Sequence, residues 1–318
     1  MKLIFQNFNS PAMPVHNIKR TLLLCLSLVS ATIFLACSSP DRPRNIQNQE
    51  IQSDVASSAE DYTSGSLFII GGGSRPEALV RRMIEESGVD REGYVVILPM
   101  SSGEPDSAII WSSEQFYQQG IDRIAGFNFL PGVPPPQAWV DSLRNARLIY
   151  ISGGDQNRFM EIVRGSQIYQ AIHHAWQNGA MIAGTSAGAA VMSQKMITGN
   201  ERRYPDYHTT FRTIESENID MAEGLGLITT AIIDQHFIWR SRHNRLLSAV
   251  IEHPNLAGIG IDESTAILVR GNTAEVVGQS QVMVFSNPET SRRNHNHKLG
   301  ATGLRLDIYL PGERFNLP

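Results

Sequence analysis

Cysteine is nearly missing from this chain: two residues in 318. That scarcity excludes a disulfide scaffold and any zinc site built on several thiolates. A charge excess of either sign is missing too, with 27 Lys and Arg against 31 Asp and Glu and a formal net charge of −4. No Lys/Arg run supplies a local basic patch, so nucleic acid is not an expected partner. The uncharged run TLLLCLSLVSATIFLA, sixteen residues from Thr21 to Ala36, falls short of the roughly 20 needed to span a bilayer. What remains is 42% apolar and 18% charged, an ordinary globular balance that excludes wholesale disorder. The length allows one or two domains at about 150 residues each.

Residues 1–20 carry Lys2, Lys19 and Arg20 and no acid, and the apolar run follows directly. A basic segment before a short apolar one reads as an export signal. It closes on Phe34-Leu35-Ala36-Cys37, followed by SSPDRPRN. A small residue just before a Cys at that place resembles the bacterial lipoprotein signal, although Phe34 stands where a smaller aliphatic is usual. The resemblance implies cleavage after residue 36, lipidation of Cys37, and export to a membrane-anchored location, periplasmic or cell-surface. Met13 is an alternative start, since residues 13–37 alone make a tidier signal. Residues 37–65 are polar and without apolar period, and they read as a flexible tether. Cys25 would leave with the signal and Cys37 would carry lipid, so covalent chemistry must use oxygen or nitrogen nucleophiles. Residues 66–318 then form one domain large enough for a sizeable core.

Within that domain, apolar runs alternate with helical patterns. Residues 66–73, 94–100, 123–130 and 147–156 read as strands, and 180–194 as a strand, a Gly/Ser turn and a helix start. Residues 76–88, 107–120, 133–146 and 159–179 read as helical. Unalternating apolar strands separated by helices indicate a parallel sheet covered on both faces. Ligands in such sheets bind at the carboxyl ends of the strands. Three Gly-rich turns fall there, at 71–73, 153–154 and 184–188, and are expected to cluster. Beyond about residue 265, AILVRG, AEVVGQSQVMVFS and GLRLDIYLP read as short strands and hairpins, antiparallel and added to one edge.

Gly184-Thr185-Ser186-Ala187-Gly188 is a G-x-S-x-G between a strand and a helix start, the setting of a nucleophile elbow. The tight turn lifts the serine clear of the backbone, and the first helical N–H groups can hold an oxyanion. A Gly/Ala-rich packing turn is the bland alternative. The serine needs a base. Among nine histidines, His173 and His174 lie mid-helix, and His295 and His297 sit in a polar loop. His236 closes the apolar run ITTAIIDQHF at a strand carboxyl end. Glu201, Asp234, Asp262 and Glu263 are the carboxylates available to orient it.

SGGDQ, GTSAGAAVMS, DQHFIWRSRHNRLL and GIGIDESTAILV, in this order, resemble the cyanophycinase family of serine peptidases, relatives of α-aspartyl dipeptidase. The resemblance covers roughly residues 66–318. It implies a three-layer α/β/α sandwich with a mostly parallel sheet, like that of class I glutamine amidotransferases, with C-terminal β-hairpin additions. It implies Ser186 as nucleophile, His236 as general base, and an acid between them in sequence, for which Glu201 fits best. Asp262 and Glu263 remain the alternatives. Oxyanion donors would be the N–H of Ala187 and of Gly153 or Gly154. Substrate contacts would come from Gln156, Asp234, Gln235, Arg240, Arg242 and Arg245, the arginines suiting aspartyl carboxylates. The bland reading of those arginines is a solvated helix face. The stretch 201–223 departs from the family pattern by its length.

The implied activity is exopeptidase release of β-Asp-Arg dipeptides from cyanophycin, a poly-aspartate carrying arginine on its β-carboxyls. Neither metal nor cofactor is expected. The partners expected are that aspartyl/arginyl polymer, a membrane through the lipid only, and, by family analogy, a second copy of the chain. The rival readings are a peptidase of the same fold acting on α-aspartyl or other short peptides, a short-chain esterase, and a lipoprotein that binds peptide without cleaving it.

Overall fold

The computed structural model describes residues 65–206 and 210–317. The expected signal, Cys37 and all of the expected tether except Gly65 lie outside them. Five short apolar runs form the centre: β1 (Leu67–Ile70), β2 (Val95–Leu98), β3 (Ile124–Gly126), β4 (Leu148–Ile151) and β5 (Met181–Thr185). They lie parallel in the order β3-β2-β4-β5-β1. Side chains alternate across them, as the strand period requires. Phe68, Ile70, Val95, Ile97 and Tyr150 pack against α1 (Glu77–Ser87) and α2 (Pro105–Tyr117). Leu67, Ile69, Val96, Leu98 and Ile151 pack on the other face against α3 (Gln137–Arg144), α4 (Gln156–Val163) and α5 (Gln167–Gln177). Each such fully buried side chain contributes about 1.5–3 kcal/mol. The α/β sandwich expected from the sequence is therefore the fold.

Two local details differ from the sequence pattern. The helical stretch 159–179 is two helices, because Gly165 takes φ 67° and the Ser166 side chain caps the N–H groups of Ile168 and Tyr169. The later strands do not all join one edge. After α6 (Ala187–Ala190) come β6 (Lys195–Glu201) and β7 (Ile219–Glu223), which pair as an antiparallel arm. The next strands are β8 (Ala231–Gln235) and, after α7 (His243–Glu252), β9 (Ala257–Ile261), a parallel pair outside the main sheet. β10 (Thr265–Arg270) and β11 (Thr273–Gly278) extend the main sheet antiparallel beyond β1. β12 (Val282–Ser286) instead pairs with β9. The small β13 (Arg293–His295) and β14 (Lys298–Gly300) pair with each other, β15 (Arg305–Tyr309) pairs with β12, and β16 (Arg314–Asn316) pairs with β11.

The second sheet, β15-β12-β9-β8, turns Ile233, Ile259, Ile261 and Val284 into the same core as α3–α5. Its other face buries Ile232, Phe237, Met283 and Phe285 against Leu246, Ala249 and Val250. The carboxyl ends of β5, β8 and β9 thereby meet beside that of β1. No helix among the described residues is long and apolar enough to cross a membrane.

Candidate active site

The site is organised by the end of β1. Three consecutive carbonyls there accept backbone bonds from three separate turns. Ile70 O accepts from Ser186 N at 3.0 Å, Gly71 O from His236 N at 2.6 Å, and Gly72 O from Ser264 N at 2.9 Å. All three donor residues sit in the left-handed region, at φ 53°, 48° and 55° respectively. For residues with a Cβ such backbone costs of order 1–3 kcal/mol each, and it concentrates at functional sites. Here it turns three strand ends sharply toward one point.

At that point His236 Nε2 lies 2.9 Å from Ser186 Oγ, and His236 Nδ1 lies 2.5 Å from Glu263 Oε1. A serine hydroxyl, an imidazole and a carboxylate are thus within hydrogen-bond reach in one line, the arrangement that a nucleophile, its base and an orienting acid require. The carboxylate is Glu263, not the expected Glu201. Glu201 ends β6, where its Oε1 accepts from Asn218 Nδ2 at 2.7 Å, and it lines a different cavity with Tyr204, Arg212 and Thr213. The reason is the parallel β8–β9 pairing, which sets Gln235 beside Ile261. Whatever follows β9 then falls beside whatever follows β8. Asp262, the other alternative, is occupied below the site: its Oδ1 accepts from Ile238 N and Trp239 N, and its Oδ2 from Ser280 Oγ.

The glycines of the first turn are required by contact. A Cβ on Gly72, whose φ is 108°, would stand 2.3 Å from the His236 ring, and one on Gly73 would stand 2.7 Å from Glu263. Gly72→Ala should therefore displace the imidazole and lower kcat about 100-fold, the usual cost of an ångström of misalignment. Steady-state kinetics beside a denaturation curve tests this; unchanged kcat would show that the ring does not depend on the turn. Across the site, a Cβ on Gly153 would lie 3.5 Å from Ser186 Cβ. Gly153 therefore borders Ser186, and Ala187 opens α6 with an N–H that has no helical partner.

A cavity of about 290 Å³ opens beside Ser186. Gln156, Gln235, Arg240, Arg242 and Arg245 line it, as does Gly154. Asp234 does not: it is 1% exposed, and Arg245 Nε donates to it at 2.7 Å. A buried pair of this kind fixes position more than it adds net stability. Arg242 Nη1 donates to Gln235 Oε1 at 2.7 Å, so two of the three arginines are held rigidly. Arg240 makes no ion pair with any described residue. The Gln156 amide donates to Ile197 O and Thr198 O of β6, which makes it a tie to the arm as well as a lining group. Asp155, Asn157, Thr198, Gly199 and Asn200 complete the lining. The sequence singled out none of these five; the paired β6–β7 arm that brings three of them to the cavity carries no clear strand pattern.

Burial pushes the His236 imidazole below the ordinary histidine range, the Glu263 hydrogen bond opposes this, and the Arg240 and Arg242 charges add to the lowering. A base of that kind is neutral at pH 7. The acid limb of kcat/KM should lie below about pH 6.5. Arg240→Gln removes a positive charge that disfavours imidazolium, so it should move that limb to higher pH. A limb that stays put, or moves down, in the variant's pH–rate profile would rule out this coupling.

The model of peptidase family S51 matches residues 67–277. The chain belongs to peptidase family S51. As a member it is a serine-type peptidase. Curated relatives include a cyanophycinase of Nostoc sp., 32% identical over 80% of this chain and 86% of that protein. A cyanophycinase of Synechococcus elongatus is 29% identical over 85% of this chain and 86% of that protein. A more distant relative is a peptidase E of Nostoc sp., 20% identical over 60% of this chain and 77% of its own length. Among solved structures, a peptidase from an acI-B1 Actinobacterium aligns with a TM-score of 0.54 at 25% identity, covering 80% of this chain and 97% of that one.

Proposed function

We propose that this S51 peptidase is a cyanophycinase, releasing β-Asp-Arg dipeptides from a poly-aspartate that carries arginine side groups. The observation that carries the reading is the Ser186–His236–Glu263 line, at 2.9 and 2.5 Å, opening on an arginine-lined cavity. Its size, about 290 Å³, sits at the small end of ligand pockets and suits one terminal unit of a polymer. The cyanophycinase relatives support the substrate class.

In this reading Ser186 Oγ attacks the backbone carbonyl while His236 Nε2 takes its proton. Glu263 keeps the proton on Nδ1 and steadies the imidazolium that forms. The tetrahedral oxyanion is met by the Ala187 N–H and by Gly153 or Gly154, a contribution of about 2.7–4 kcal/mol per donor. His236 then returns the proton to the leaving amine, and water repeats the sequence to free the acyl-enzyme. Arg240 and the anchored Arg242 and Arg245 receive substrate carboxylates.

The test is digestion of purified cyanophycin by the wild-type chain and by Ser186→Ala, with products read by mass spectrometry. Dipeptide release by wild type alone is expected; an intact polymer beside a folded wild type would overturn the substrate. The peptidase E relative favours one second reading, action on α-aspartyl dipeptides, which a dipeptide panel in the same assay separates. Export and anchoring through Cys37 complete the proposal. Cys37→Ala should move the protein from the membrane to the soluble fraction of the producing cell, and equal membrane partition of both would refute the anchor.

A further inference from the structure

The proposed substrate poses a problem of charge, and the inference drawn here rests on that proposal. Three arginines line the cavity, yet the substrate brings an arginine side chain of its own. Carboxylates of the poly-aspartate are matched by Arg240, Arg242 and Arg245. Buried Asp234, behind the cavity, offsets part of that charge through Arg245 and Arg242, and a guanidinium entering meets the remaining like charge unless the cavity itself holds an acid. Among its described lining residues there is one carboxylate, Asp155.

Asp155 is placed for that use. It caps α4, and Oδ1 accepts from Asn157 N at 2.8 Å. Neither oxygen makes an ion pair with a described residue, and the side chain is exposed to the cavity mouth. Beside it the β6–β7 arm breaks register between Ile197 and Glu201. A bulge of this sort re-aims side chains, often next to active sites. Gly199, at φ 97°, makes the kink. Gln156 and Asn157 hold the Thr198 carbonyl, and Thr198 Oγ1 reaches Asp220. The bulge is further locked by the Asn200 N–H bond to Thr198 Oγ1, and it carries Asn200 into the cavity lining, where its side chain bonds to no described residue.

We infer that Asp155 and the Asn200 carboxamide form the seat for the guanidinium of the substrate's side chain. This wall lies on the α4 and β6 side of the cavity and the arginines come from α7 and the turn before it. The cavity is thus built for a zwitterionic unit, with carboxylate and guanidinium received by different elements. Asp155 acts on specificity, not on the reacting bond.

The experiment uses two synthetic aspartyl oligomers, one with arginine and one with citrulline, the neutral isostere of arginine, on the β-carboxyls. Wild type should favour the arginyl oligomer in kcat/KM by about 10-fold, the scale of a charge-assisted hydrogen bond at a partly solvated site. Asp155→Asn keeps the helix cap, since asparagine caps as well as aspartate, and should erase the preference through KM. Asn200→Asp should increase it. A fall that is equal for both oligomers in Asp155→Asn, or a preference that survives, would overturn the seat while leaving the peptidase reading intact. Binding of the arginyl and citrullinyl dipeptides to Ser186→Ala, with and without Asp155→Asn, is measured by calorimetry alongside. If neither oligomer is cleaved but Asp155 still sets a preference in binding, the proposed reaction fails and the seat stands. If binding shows no preference, the seat fails whatever the turnover.

Discussion

Ser186→Ala is expected to lower kcat by about 10⁴- to 10⁶-fold, the range for removing a nucleophile that acts as one unit with its base. The fold should survive, because alanine occupies the same backbone and Ser186 contributes only its hydroxyl to the bonds with His236 and Gln235. Ser186→Gly separates catalysis from strain. At φ 53° and ψ −110° glycine relieves what serine or alanine must bear, so this variant should be as inactive as Ser186→Ala and more stable by about 1 kcal/mol. Turnover on the scissile peptide and urea unfolding of the three proteins check both halves. Near-wild-type turnover in either variant would remove Ser186 from the chemistry.

Glu263→Gln should lower kcat by about 10³- to 10⁴-fold, since an amide no longer fixes the imidazole tautomer or meets the charge that forms on it. Its loss also removes a bond that raises the His236 pKa. The neutral base is then further favoured, so the acid limb should move to lower pH while kcat stays low across the whole range. Glu201→Gln is the control. It touches Asn218 in the arm and another cavity, so kcat/KM should stay within a few-fold of wild type. The reverse pattern in steady-state kinetics, with Glu201 essential and Glu263 dispensable, would mean that the His236 ring turns to a different partner when substrate binds.

The two carboxylates show where sequence reading succeeds and where it stops. Strand ends, Gly turns and the elbow are local: apolar runs such as LFII and VVIL, fully buried here, announce themselves, and so do Gly71–Gly73 and the Ser186 turn. His236 was legible from one further rule, that polar residues closing an apolar strand face the crevice. The same rule applied to GIGIDE points to Asp262 and Glu263. Choosing between those and Glu201 needs the knowledge that β9 lies parallel beside β8, a long-range pairing that no local pattern encodes. The second sheet is illegible for the same reason: AEVVGQSQVMVFS reads as neighbouring hairpin strands, yet β11 pairs with β10 and β12 with β9. The cavity wall from the arm was illegible because KMITGNE is bent by its bulge out of strand alternation.

The three carbonyls at the end of β1 have a consequence for the life of the chain. They belong to the first strand of the domain to be synthesised, while Ser264, which closes the third bond, comes 192 positions after Gly72. A growing or truncated chain that ends between His236 and Glu263 has its serine and histidine but lacks Glu263 and the last anchor. The Ser186–His236–Glu263 line is therefore complete only when most of the chain has been made. Chain order alone gives this hydrolase a period of latency during its synthesis.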